Sequence, residues 1–123
     1  MIGVGFLNHP ALAILQRTDK VALKIGFYQC PSPTTALLNI VRKLKVGGTL
    51  LIIDYAPIHN YPVSGQYQRR GFTMPELHNM LLQHILDEVD VVPLTSSRGN
   101  IIMDNSGQWH VVIAKGVKRW NTY

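Results

Sequence analysis

The chain has 123 residues, 46% of them hydrophobic, and carries 12 Lys and Arg against 7 Asp and Glu, a formal charge of +5. That length suits one ordinary domain, and the apolar content supports a core and excludes a disordered chain. The longest apolar runs, such as TLLII, are too short to span a bilayer, so neither a helical membrane protein nor a membrane partner is expected.

The first ten residues, MIGVGFLNHP, have no basic stretch ahead of an apolar one, so no secretory signal is expected. Cys30 is the single cysteine, which rules out an internal disulfide and fits a reducing, cytoplasmic compartment. The positive charge favours an anionic partner such as nucleic acid, and equally serves solubility. It is spread over Arg42, Lys43 and Lys45, over Arg69 and Arg70, and over Lys115, Lys118 and Arg119.

After a short apolar run at 2–7, NHPALAILQR predicts a short helix capped by Asn8, with Pro10 tolerated in its first turn. In DKVALKIGFYQC, Val21, Leu23, Ile25 and Phe27 alternate with Ala22, Lys24 and Gly26, the period of a strand over 21–27. PSP breaks that strand. Ser32 and Pro33 then suit the N-cap and first position of a helix over 33–45, with Leu37, Ile40, Val41 and Leu44 as its buried stripe. Gly47 and Gly48 end this helix, one of them in the left-handed C′ conformation. TLLIIDY follows as a strand with apolar residues on both faces, which places it in the middle of a parallel sheet.

Residues 55–72 form a long irregular loop rich in Pro, Gly, Tyr and Asn, and such loops often carry function. Thr73 and Glu76 then form a capping box. The helix it opens places Leu77, Met80, Leu81, His84, Ile85 and Glu88 at helical spacing. VDVVPLT, NIIM and WHVVIAKG read as strands, the last two joined by a DNSG turn as an antiparallel hairpin. The expected architecture is a single α/β domain over 1–123 with a Rossmann-like mixed sheet, mostly parallel and closed by a C-terminal antiparallel hairpin strand.

The run ALLNIVRKLKVGGTLLIIDYAP at 36–57 resembles the second half of a class I S-adenosylmethionine-dependent methyltransferase. Ala36, Leu37, Ile40, Arg42, Leu44, Lys45, Gly47 and Gly48 occupy the positions of that family's helix-to-strand pattern, with Val46 where a proline is common. RRGFTMPELHNML is similar to the family's entry into its next crossover helix, and the closing hairpin resembles its antiparallel seventh strand. By this resemblance, which covers 20–118, the strands at 21–27, 49–54, about 89–95 and 109–115 are the family's fourth to seventh. The glycine-rich cofactor loop of the family's first half has no counterpart, since GVGF at 3–6 holds only a G-x-G. The resemblance therefore implies a partial methyltransferase: a truncated product, a separately encoded fragment or a module without catalysis.

Two strand ends carry the candidate residues, because open α/β sheets bind ligands beyond the carboxyl ends of their strands. At the first, FYQCPSP, the resemblance places Tyr28 and Gln29 against S-adenosylmethionine and Cys30 against the substrate; a loop with a buried tyrosine and thiol is the alternative. The amino-methyltransferase motif Asn/Asp-Pro-Pro-Tyr is absent. At the second, IDYAPIHN, Asp54 and His59 are candidates to deprotonate a hydroxyl, with Tyr55 and Asn60 beside them, or else they cap a turn. Arg69 and Arg70, near Tyr61 and Tyr67, suit stacking and phosphate contact as well as an ordinary solvated loop. The five histidines show no metal-ligand spacing, so no metal is expected.

Three functions follow: the substrate-side half of a methyl-transfer fold, weakly active or inactive alone; an interaction module; or a basic nucleic-acid-binding protein. Loss of the first half would leave the strand at 21–27 as an open edge, which predicts a homo-oligomer or a partner chain there.

Overall fold

The computed structural model describes residues 2–4, 18–23, 27, 30–59, 71–84 and 86–120. Five strands and two helices follow one another: β1 (Ile2–Val4), β2 (Thr18–Leu23), α1 (Pro33–Lys43), β3 (Leu44–Pro57), α2 (Met74–Gln83), β4 (Leu86–Pro93) and β5 (Trp109–Lys118). The sheet order is β1-β2-β3-β5-β4. The pairings β1–β2 and β2–β3 are parallel, whereas β3–β5 and β5–β4 are antiparallel. The α/β class and the mixed sheet agree with the sequence pattern. The pairing is evenly divided, with β3, β5 and β4 forming a three-stranded antiparallel part, instead of mostly parallel. The helix expected from NHPALAILQR lies outside the described residues.

The strand expected at 21–27 runs instead over Thr18–Leu23. It is not an edge: Ile2–Val4 pairs with Val21–Leu23 on one side, and β3 pairs on the other. The short apolar start of the chain supplies the missing neighbour, so the open-edge argument for a partner at this strand fails.

α1 starts where Ser32 and Pro33 place it, but Ser32 gives no side-chain cap. Its hydroxyl donates instead to Thr35 Oγ1 at 2.8 Å. The helix buries Ala36, Leu37, Ile40 and Val41 and stops at Lys43, two residues early. Leu44 is already extended, its backbone N–H reaching the Ile40 and Val41 carbonyls. Neither glycine closes the helix. Gly47 adopts φ +85° within an irregular start to β3, where the register slips from Thr18↔Leu44 to Lys20↔Thr49. A left-handed residue at that slip explains a glycine there.

A lysine from the other end of the chain completes the end of α1. Lys118, the last residue of β5, is 1% exposed, and its Nζ donates to the carbonyls of Val41 and Leu44, each at 2.7 Å. The final carbonyls of a helix lack intrahelical partners and carry its negative dipole end, so a cation with N–H donors suits them on both counts.

From Leu50 onward β3 alternates fully buried and half-buried residues. Leu50, Ile52 and Ala56 share one core cluster with Leu37 and Ile40 of α1, Leu77 and Leu81 of α2, and Val112 and Ala114 of β5. Both helices therefore cover the same face, since Ile52 pairs with Ala114 across the sheet. The opposite face carries Leu51, Ile53, Tyr55 and Ile113, all half-buried. β3 is central, as its composition suggests, but only one of its faces is fully sealed.

The capping box forms as expected: the Glu76 N–H donates to Thr73 Oγ1 at 3.1 Å, and the Thr73 N–H donates to Glu76 Oε1 at 2.8 Å. α2 ends earlier than its periodicity implies, with His84 as C-cap. Glu88 belongs to β4, at φ 51°, where the pairing with β5 slips between Asp87 and Asp90. β4 begins at Leu86, ahead of the expected 89, and exposes Asp87, Glu88 and Asp90. Residues 101–103 form no strand; single bridges join Thr95 to Ile101 and Met103 to His110. The DNSG turn is present, with Asp104 Oδ1 accepting from the Ser106 N–H and hydroxyl.

Lys118→Ala strands two buried helix-terminal carbonyls and is expected to lower stability by about 2–3 kcal/mol in urea unfolding. Lys45→Ala, an exposed change, is expected to fall within about 0.5 kcal/mol of the parent. Equal midpoints for the two variants would remove the capping role of Lys118.

Candidate functional site

β2 and β3 are parallel, with the last residue of β2, Leu23, beside Ile52, and β3 continues past it to Pro57. Beyond β2, Phe27 is 1% exposed and its ring lies 5.8 Å from that of Phe72 in a tilted pair. Cys30 and Phe72 pack partly buried against the same core cluster. The Cys30 N–H donates to the Phe27 carbonyl at 3.2 Å, three residues back in the chain.

Gly71 joins the two strand ends. A Cβ at this position would lie 2.0 Å from the Tyr55 carbonyl oxygen and 2.9 Å from its carbonyl carbon. No side chain can be accommodated against backbone at that distance, so glycine is required by contact. The neighbouring Phe72 is thereby brought over Phe27 and Thr73 is brought to the start of α2, which fixes how the long loop re-enters the fold.

Asp54 is 3% exposed and lies on the helix-covered face of β3, opposite Val112. Its Oδ1 accepts from the Tyr55 N–H at 2.8 Å. Tyr55 is half-buried on the opposite face, and His59 is exposed in the turn after the strand. Asp54 therefore sits about 10 Å back along β3 from the strand end at Pro57, and His59 lies beyond that end. Tyr28, Gln29, Asn60, Arg69 and Arg70 lie outside the described residues. Among the described residues, no group of three or more His, Cys, Asp or Glu side chains is gathered that could hold a metal ion. No described helix is long and apolar enough to cross a membrane.

Sequence reasoning missed His110. It is 3% exposed, pairs with Ala56 near the end of β3, and its Nδ1 lies 2.8 Å from the Ala56 carbonyl oxygen. Its signal was a polar residue inside the otherwise apolar WHVVIA run. The basic group 115–119 also reads differently in the structure. Lys118 is buried, and Arg119 reaches Glu88 at 2.5 Å and Asp87 at 3.7 Å, which leaves exposed Lys115 as the remaining member.

No protein-family model and no curated protein matches the sequence. Solved structures do match. A phosphoethanolamine N-methyltransferase of Haemonchus contortus, in complex with phosphomonomethylethanolamine and S-adenosylhomocysteine, has a TM-score of 0.62 at 12% identity over 83% of this chain and 34% of its own. A second, an S-adenosylmethionine-dependent methyltransferase of Thermotoga maritima, gives a TM-score of 0.62 at 19% identity over 92% of this chain and 61% of its own.

The chain has a partial S-adenosylmethionine-dependent methyltransferase fold. It spans about a third of the first of these proteins and under two thirds of the second. The [4+2]-cyclase SpnF matches equally well, with a TM-score of 0.63 at 18% identity over 85% of this chain and 52% of its own. The shared fold therefore hosts more than one chemistry.

Gly71→Ala is expected to cost about 2 kcal/mol or more in urea unfolding, because the backbone of β3 must move. Gly47→Ala, where no atom lies within 4 Å but φ is +85°, is expected to cost about 1 kcal/mol. A Gly71→Ala protein as stable as the parent would show that the loop is not anchored on Tyr55.

Proposed function

We propose that the chain is the substrate-side half of a methyl-transfer fold, weakly active or inactive without the remainder. The observation that supports this reading is the pair of unequal coverages: nearly all of the chain matches methyltransferase folds, and it accounts for a third to two thirds of them. S-adenosylmethionine is the methyl donor in this reading, supported by neighbours that hold it or its demethylated product. Tyr28 and Gln29 are assigned to that cofactor. Asp54 and His59 are assigned to proton transfer, and Cys30, Tyr55, Asn60, Arg69 and Arg70 to substrate contact. Catalysis in such a fold is largely the alignment of donor and nucleophile, and a chain that spans part of the fold supplies only part of that alignment.

A non-catalytic interaction module is the second reading. It is favoured by the exposed apolar residues Val92, Ile101, Ile102 and Met103, which are 41%, 49%, 38% and 53% exposed. A homo-oligomer or partner chain would use that surface. Nucleic-acid binding draws less support, because Lys118 and Arg119 are engaged within the protein.

Calorimetry with S-adenosylmethionine and with S-adenosylhomocysteine tests the first reading. The isolated chain is expected to bind either one more weakly than micromolar. Micromolar or tighter binding by this chain alone would show that it holds a complete cofactor site.

A further inference from the structure

His110 is the buried titratable group for which packing gives the least account. It lies on the helix-covered face of β5, two residues from Val112 and four from Ala114 of the core cluster. A carbonyl oxygen only accepts hydrogen bonds, so the 2.8 Å contact with Ala56 requires that Nδ1 carry the hydrogen and donate it. In the neutral ring this fixes the tautomer and leaves Nε2 as a bare acceptor. Among the described residues nothing donates to Nε2, although the residue is only 3% exposed.

Buried polar atoms are nearly always hydrogen-bonded, and an exception points to a ligand, an ion or a water. A glutamine would satisfy the Ala56 carbonyl equally well, so the second ring nitrogen is the feature to explain. Its place in the fold is informative. Ala56 is one residue from the end of β3, at the edge of the sheet where α/β folds bind ligands. Asp54 lies on the same face, one diagonal step from His110.

We propose that His110 is the proton acceptor of a ligand site at the carboxyl end of β3, taking the hydrogen of a hydroxyl or amine through Nε2. The O–H or N–H bond breaks with its electrons left on the nucleophile. The proton joins the Nε2 lone pair, and the ring becomes an imidazolium with hydrogen on both nitrogens. The proposal deepens the methyl-transfer reading, gives His110 the acceptor role there assigned to Asp54 and His59, and rests on that reading for the class of nucleophile: a neutral hydroxyl or amine must lose this proton when it is methylated.

The test uses the full chain and needs no turnover. Two-bond proton–nitrogen spectra of histidine-labelled protein are expected to show His110 protonated at Nδ1 and bare at Nε2. Carbethoxylation by diethyl pyrocarbonate, read by mass spectrometry, is expected to modify His110 in the native protein, more slowly than exposed His59. His110→Gln retains an N–H for Ala56, so it should fold normally and lose only the modification at this position. A bare Nδ1, a protonated Nε2, or a His110 that is labelled only after unfolding would each overturn the proposal. Occupancy is read in the same nitrogen spectra with 2-aminoethanol, a combined hydroxyl and amine probe: a shift of the His110 Nε2 resonance supports the site and no shift overturns it. If His110 passes while the chain, supplied with the rest of the fold, methylates no hydroxyl or amine, the methyl-transfer reading fails and the acceptor site stands.

Discussion

The buried ammonium of Lys118 holds the fold at the end opposite its candidate site. Helix α1 ends in carbonyls that a buried environment would leave unsatisfied, and Lys118 meets two of them from the last residue of the last strand. A charge removed from water is costly unless fully hydrogen-bonded, so this contact ties distant parts of the chain together. α1 cannot settle on the sheet without β5 in register, because a shift of one residue along β5 would turn the ammonium to the opposite face. The same register places Val112 and Ala114 in the core and His110 beside Ala56. One polar contact at the base thus fixes which side chains reach the carboxyl ends.

At those carboxyl ends, precision comes from backbone contact. Gly71 rests against the Tyr55 carbonyl, Phe72 then meets Phe27, and Thr73 starts α2. The entry into α2 is therefore anchored hard on β3. A scaffold of this kind suits many reactions, and the likeness to both methyltransferases and a [4+2]-cyclase fits that generality. Function must lie in the groups mounted on the frame, and Asp54 and His110 are two buried polar groups on its helix-covered face.

Much of the fold was legible locally. The α1 stripe, the Thr73–Glu76 box and the apolar β3 each follow from propensities within a few residues. Boundaries failed where tertiary pairing overrode local pattern. α1 stopped at Lys43 because Leu44 was drawn into the sheet, and Glu88 left the helical period because β4 took it. The glycine pair at 47–48 was read as a helix stop, whereas Gly47 serves a register slip that only the pairing with β2 reveals. The role of Lys118 was hidden for the same reason: a lysine near a basic C-terminus looks solvated until the strand that carries it is placed beside a helix end. The candidate site was legible by position only. The sequence located the strand ends and Asp54, but a lone histidine in WHVVIA acquires meaning only from its partner across the sheet.

The outer strand β4 combines a bulge at Glu88 with exposed Asp87 and Asp90. Bulges and inserted charges are how natural sheets refuse further strands. The other outer strand, β1, is only three residues long, and so short an edge is itself a poor template for a further strand. The sheet is consequently guarded at both margins by different means, charge and a bulge at one and brevity at the other.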